Sequence, residues 1–171
     1  IAEVVDDMVL VTLYGPIFFT PFSRAVSAAC TMLTVEALPE PTIRPDCFLF
    51  GEVVDSPTAI QSYVGRLDGN LDFHIETALR RTYAYGAWSE ARFQRFVQQH
   101  LAFFPDSFVM PTFLDNHDTD RFLFVAGGDK DALRRAAATQ MRLPGPPIIY
   151  YGTEVGLSQT HSKHGLGLEA S

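Results

Sequence analysis

Hydrophobic positions fall into two contrasting patterns along the chain. Up to residue 43 they show no clean period. Residues 4–14 are rich in β-branched and aliphatic side chains, and residues 25–38 have the composition of a helix but carry apolar residues on every face. Pro16, Pro21, Pro39 and Pro41 punctuate the stretch. From Pro45 onward the pattern is orderly. Residues 47–54 form a continuous apolar run with one acid, Glu52, near its end, as expected for a strand buried on both faces of a parallel sheet. Residues 69–73 read as a weaker short strand. Ile75, Ala78, Leu79 and Tyr83 then recur at helical spacing. Phe93, Phe96, Val97, His100, Leu101 and Phe104 do so more clearly, with Ser89 as N-cap and Pro105 as the stop. Residues 107–114 are the next strand, despite Pro111, which cannot donate to a ladder. A Gly127-Gly128 turn leads into a helix over 131–143 with Leu133, Ala137 and Met141 on one face. Pro144-Gly145-Pro146-Pro147 ends it, and residues 148–151 form the last strand, closed by Gly152.

Strands alternating with helices imply βαβ units and a parallel sheet, open or closed into a barrel, so the fold class is α/β. A chain of 171 residues that is 47% hydrophobic can bury a sizeable core and fits one globular domain. Its charge balance is acidic, 13 Lys and Arg against 20 Asp and Glu. That surface repels phosphate backbones and argues against a nucleic-acid partner. Gly15, Pro16 and Pro21 interrupt the apolar run over 8–22, which falls short of the ~20 apolar residues a bilayer span needs. A soluble chain with no membrane partner is expected. Glu3, Asp6 and Asp7 stand where a secretory leader would be basic, so no signal peptide is expected and the compartment is left open. Cys30 and Cys47 read as buried thiols rather than a disulfide scaffold. The first residue, Ile1, suggests a processed chain or a piece of a longer one.

In a parallel α/β barrel the working residues lie at the C-terminal ends of strands. That rule selects Glu52, then Asp115-Asn116-His117-Asp118, then Tyr151-Gly152-Thr153-Glu154. Each has a plainer reading. A lone glutamate at a strand end is usually solvated or paired, and Asn-His-Asp makes a good turn or helix cap. Their joint pattern weighs more, because carboxylates at the mouths of two strands in one barrel face the same cavity. Paired carboxylates are the minimal equipment for cleaving a glycosidic bond. Asp115, His117 and Asp118 match no zinc spacing, and the chain has no HExxH, CxxC, GxSxG or phosphate-loop motif. No metal site is assigned. His100, on an apolar helix face, reads as a packed core histidine. Trp88, Tyr83 and Tyr85 have the chemistry to stack on sugar rings, but most of them read as core.

These residues carry a resemblance. Phe48-Leu49-Phe50-Gly51-Glu52-Val53 looks like the fifth-strand motif of the alpha-amylase family of glycoside hydrolases (family 13). Phe113-Leu114-Asp115-Asn116-His117-Asp118-Thr119-Asp120-Arg121-Phe122 resembles its seventh-strand motif. Pro147-Ile148-Ile149-Tyr150-Tyr151-Gly152-Thr153-Glu154 resembles the eighth-strand segment. Order and spacing agree over 45–171, and residues 1–43 match poorly. The resemblance implies a partial TIM (β/α)8 barrel, about strands 5 to 8 with their helices, within a catalytic domain of which 1–171 is part. It implies a retaining glycosidase acting on α-1,4-linked glucans, with an oligo- or polysaccharide as partner. Glu52 would be the general acid/base, and Asp118 would bind sugar hydroxyls and favour the oxocarbenium-like transition state. His117 would hydrogen-bond the sugar. Asn116 is a further substrate-side candidate, better suited to shaping the turn. No cofactor is expected. Calcium, used by intact members of the family, is not assignable to residues of the matched region.

The sequence also departs from the family. The family nucleophile is an aspartate of the fourth strand in a Gly-Phe-Arg-x-Asp context, and the corresponding window, residues 19–30, holds no acid. Pro21-Phe22-Ser23-Arg24-Ala25-Val26 comes nearest, without the aspartate, and the third-strand Asp…Asn-His motif is missing too. The chain is therefore expected to be a fragment lacking its nucleophile and inactive alone. One explanation is that residues 15–43 are read in a shifted frame. A second reading is a non-catalytic barrel relative used as a glycan-binding or scaffold module. An unrelated α/β protein with chance motifs is a weaker third.

Overall fold

The structure is a computed structural model and describes residues 2–5, 8–11 and 48–163. The helix expected over 25–38, the window 19–30, the region 15–43, and both cysteines lie outside the described residues. The chain divides into two compact units, Ile1–Asn70 and Leu71–Ser171, and each is taken by itself.

In the first unit, β1 (Ala2–Val5) runs antiparallel to β2 (Met8–Val11), with Ala2 opposite Val11 and Val5 opposite Met8. β3 (Phe50–Gly51) lies parallel to β4 (Gly69–Asn70), which supports the parallel sheet expected from the apolar run. The ladder is much shorter than that run, for a local reason. Beyond Gly51 the backbone is held by a side chain, since the Asn70 carboxamide accepts from Val53 N at 2.8 Å and donates to Val53 O at 3.1 Å. Between these strands, α1 (Pro57–Gln61) starts on Ser56, whose hydroxyl accepts from Ala59 N, with proline in the first turn.

The second unit holds a core of Ile75, Leu79, Phe93, Leu114, Phe122, Leu123, Leu133 and Ala136. α2 (Phe73–Leu79) begins because Asp72 Oδ1 accepts from Ile75 N at 2.9 Å, so Phe73, expected in a strand, is the first helical residue instead. The helix widens into a π turn, Arg80–Ala84, where Tyr85 N donates to Arg80 O at 2.9 Å. α3 (Glu90–Leu101) is capped by Ser89 as expected, but it stops before Pro105, at a C-cap on Ala102. His100 is indeed a core histidine. Its Nε2 meets the carboxylate of Asp72, itself fully buried, and its ring stacks on Phe96. Tyr83 is buried and Trp88 packs against the core, as expected for most of the three, whereas Tyr85 is exposed.

A short α4 (Phe122–Val125), invisible as a period, precedes Gly127 and Gly128, whose positive φ values of 63° and 84° make the expected turn. α5 (Lys130–Gln140) is capped by Asp129 and ends before Met141, which is exposed rather than packed. Residues 107–114 and 148–151 do not form regular strands, and Ser107 and Tyr151 lie in turns. They meet at one parallel bridge, Thr112 to Pro147, with Thr112 N donating to Pro146 O at 3.0 Å and Ile148 N to Thr112 O at 2.8 Å. Pro111, Pro146 and Pro147 have no N–H to offer, so the ladder cannot extend. Pro111 contributes its carbonyl instead, accepting from Asp72 N at 2.9 Å. Gln140, wholly buried at the end of α5, completes the pairing by donating to Thr112 O and Ile148 O. Gly145 is required by close approach, since a Cβ there would lie 2.0 Å from Met110 O.

Candidate active site

The segment from Pro111 to Asp115 is buried throughout and delivers the next residues to the surface in a fixed geometry. Asp115 is its anchor. It is 2% exposed, its Oδ2 accepts from Phe122 N at 2.8 Å, and its Oδ1 accepts from the Thr153 hydroxyl at 2.5 Å. The Arg121 guanidinium stands 3.9 Å from the same carboxylate. That guanidinium also donates to Tyr151 O and lies over the Tyr150 and Tyr151 rings. The sequence placed Asp115 in the motif but assigned it no role. It is a structural acid at the root of the loop, and Thr153, from the third selected cluster, is its partner.

Asn116 then makes a turn of its own. Its Oδ1 accepts from Asp118 N at 3.0 Å and Thr119 N at 2.9 Å, while Thr119 Oγ1 accepts from Asn116 N. The Asn116 side-chain oxygen is thus engaged in shaping the loop. The side chains of His117 and Asp118 project outward, 49% and 46% exposed, with His117 Nε2 and Asp118 Oδ2 3.4 Å apart. The result is a solvent-facing imidazole and carboxylate on a rigid mount, suited to hydrogen-bonding hydroxyl groups. Behind them Lys163 Nζ donates to His117 O. The Asp120 carboxylate gathers Gln159 Nε2, Ser162 Oγ and Lys163 N at 2.5–2.7 Å, tying the segment after Tyr151 onto this loop.

Glu52 belongs to the first unit. It is half-buried, directly follows β3, and precedes Val53, whose backbone Asn70 grips at both polar atoms. Asn70 is fully buried and was missed in the sequence, where it is one polar residue in a weak strand. The carboxamide that bonds both backbone groups of the residue after Glu52 restrains where that carboxyl sits. Among the described residues no group of three or more His, Cys, Asp or Glu side chains is arranged to hold a metal ion. Among the same residues, no helix is long and apolar enough to cross a membrane.

The family described as alpha amylase, catalytic domain, matches residues 19–170. The chain belongs to this family. It is 40% identical over 115 residues to Alpha-amylase 2 of Dictyoglomus thermophilum, covering 67% of this chain and 20% of that protein. It is 33% identical over 119 residues to a cyclomaltodextrinase of a Bacillus species, covering 68% of this chain and 21% of the relative. The alpha-amylase of Geobacillus thermoleovorans, solved in complex with acarbose, is similar in structure with a TM-score of 0.65 at 28% identity, over 77% of this chain and 31% of that one. The chain spans about a fifth of the length of these curated relatives. The structural relatives of this amylase-family chain are α/β-barrel enzymes, in keeping with the parallel pairing described above.

Proposed function

We propose that this chain supplies about strands 5 to 8 of the catalytic barrel of a retaining glycosidase acting on α-1,4-linked glucans. The observation that carries the reading is the His117–Asp118 pair, exposed on a loop rooted in a fully buried segment and an anchored Asp115. In this reading Glu52, protonated, gives its proton to the glycosidic oxygen as the bond breaks and later takes one from the incoming water. Asp118 supplies negative charge and accepts from sugar hydroxyls as positive charge develops on the ring. His117 hydrogen-bonds the same sugar, and Asn116 sets the turn that presents both. The roles assigned are proton transfer, charge and hydrogen bonding, and none calls for a cofactor. Acarbose bound to the Geobacillus relative supports a saccharide as ligand.

The covalent route needs a second carboxylate about 5–5.5 Å from the first. Residues 19–30 contain no acid, which favours an inactive chain and keeps a glycan-binding module as the second reading. The test is release of reducing sugar from soluble starch by the purified chain beside Glu52→Gln, with acarbose binding measured on both. We expect no release from either. Release that Glu52→Gln abolishes would reveal a nucleophile elsewhere in the chain. Binding without turnover would favour the module. Release that survives Glu52→Gln would overturn the role given to Glu52.

A further inference from the structure

Among the described residues, Arg80 is a buried cation to which the roles above give no part. Arg80, 8% exposed, stands where α2 passes into the π turn. Its Nη2 donates to Leu114 O at 3.0 Å and to Asp120 O at 2.7 Å. Those two carbonyls bracket residues 115–119, the loop that carries Asn116, His117 and Asp118. Glu76, one helical turn earlier and also buried, pairs with Arg80 Nε. Both bonds leave one nitrogen, and the ion pair beside Nε biases the direction in which that nitrogen points.

The loop's own hydrogen bonds define its shape but not its attitude on the barrel. The Asn116 turn is closed by groups of the loop itself, so it opens more readily when the ends of the loop are not held. Two contacts from one rigid group to the two ends of the loop remove that freedom. We propose that Arg80, oriented by Glu76, is a positioning residue that clamps the ends of the loop and so fixes where His117 and Asp118 point. The clamp itself stands on the geometry, while its consequence for sugar binding rests on the function proposed above. Glu76 and Arg80 also line an open cavity of about 590 Å³ with Thr77, Arg81 and Asp120. Water can therefore reach Asp120 in a variant that lacks the guanidinium, and such a variant is expected to fold.

The test is amide hydrogen exchange of the full chain, with acarbose titration, for wild type, Arg80→Met, Arg80→Lys and Glu76→Gln. In Arg80→Met the amides of Asp118 and Thr119 should exchange about tenfold faster or more, with those of α5 unchanged. Arg80→Lys should restore part of the protection, and Glu76→Gln should loosen the same amides less. Wild-type rates at Asp118 and Thr119 in Arg80→Met, or an equal acceleration through α3 and α5, would overturn the clamp. Should Arg80→Met fail to fold, Glu76→Gln decides, and unchanged loop exchange there rejects the proposal. Acarbose affinity that falls in Arg80→Met and recovers in Arg80→Lys supports the positioning role. Affinity unchanged beside a loosened loop rejects it. A wild-type chain that does not bind acarbose counts against the glycan reading alone, and the exchange data still judge the clamp.

Discussion

Two extended segments meet at Thr112 and Pro147, and they could hardly differ more. Residues 111–115 are buried one after another, with backbone partners on both sides, Asp72 on one and Pro146–Ile148 on the other. The segment after Pro147 has, among the described residues, one such neighbour, and it shows Ile148, Ile149 and Tyr151 to solvent at 37%, 42% and 69%. Both are apolar by composition. What separates them is how many neighbours each one has, and the fully enclosed segment is the one that roots the loop carrying His117 and Asp118. An apolar run thus states what a strand can bury, and the surrounding chain decides how much of it is buried.

The comparison breaks most easily at Phe113, 1% exposed and edge-on to Phe73 at 5.0 Å. Phe113→Ala should cost about 3–5 kcal/mol, whereas Ile149→Ala should cost about 0.5 kcal/mol or less, both read by urea unfolding. Equal costs would mean that the second segment is buried in solution. A smaller effect is expected at the root of the loop. Asp115→Ala strands Phe122 N and the Thr153 hydroxyl and should cost about 2–3 kcal/mol in the same assay. A cost near zero would show that Asp115 does not anchor the loop.

The smallest effect is one of pH. Burial pushes the Glu76 carboxyl above its ordinary value of 4.5, partly offset by Arg80 and by the Thr77 hydroxyl, with Asp115 adding to the rise. The native chain then holds this proton more tightly than the unfolded chain. The contribution of Glu76 to stability is greatest below 4.5 and declines as pH rises through the folded pKa. Glu76→Gln should remove that decline from a series of melts across the window above 4.5. An unchanged pH profile would place the carboxyl in water.

Helices that open on a cap and carry a long apolar face were legible in the sequence. Ser89 with Phe93, Val97 and His100 foretold α3, and Leu133 with Ala137 foretold most of α5. The parallel alternation and the exposed His117–Asp118 pair were legible from the strand-end rule and the motif. The π turn, α1 and α4 were not, because four or five residues carry no period, although Ser56-Pro57 is a start signal that could have been used. Strand lengths were overestimated because prolines and the Asn70 carboxamide replace ladder donors. Arg80 lay out of reach, since its acceptors are backbone oxygens 34 and 40 residues away, and no side-chain pattern encodes them.

The bond from Tyr85 N to Arg80 O has a genetic consequence. A stretch that closes over five residues stores one more amino acid than a regular helix would spend on the same rise. Loss of a single codon at Arg81 would leave composition and helix content nearly untouched. The residues beyond it would keep their direction, because the regular turn that replaces the bulge has the same rise. At this point of the chain a deletion is the change the fold absorbs, whereas the same loss within α3 would rotate everything downstream by about 100° around the axis.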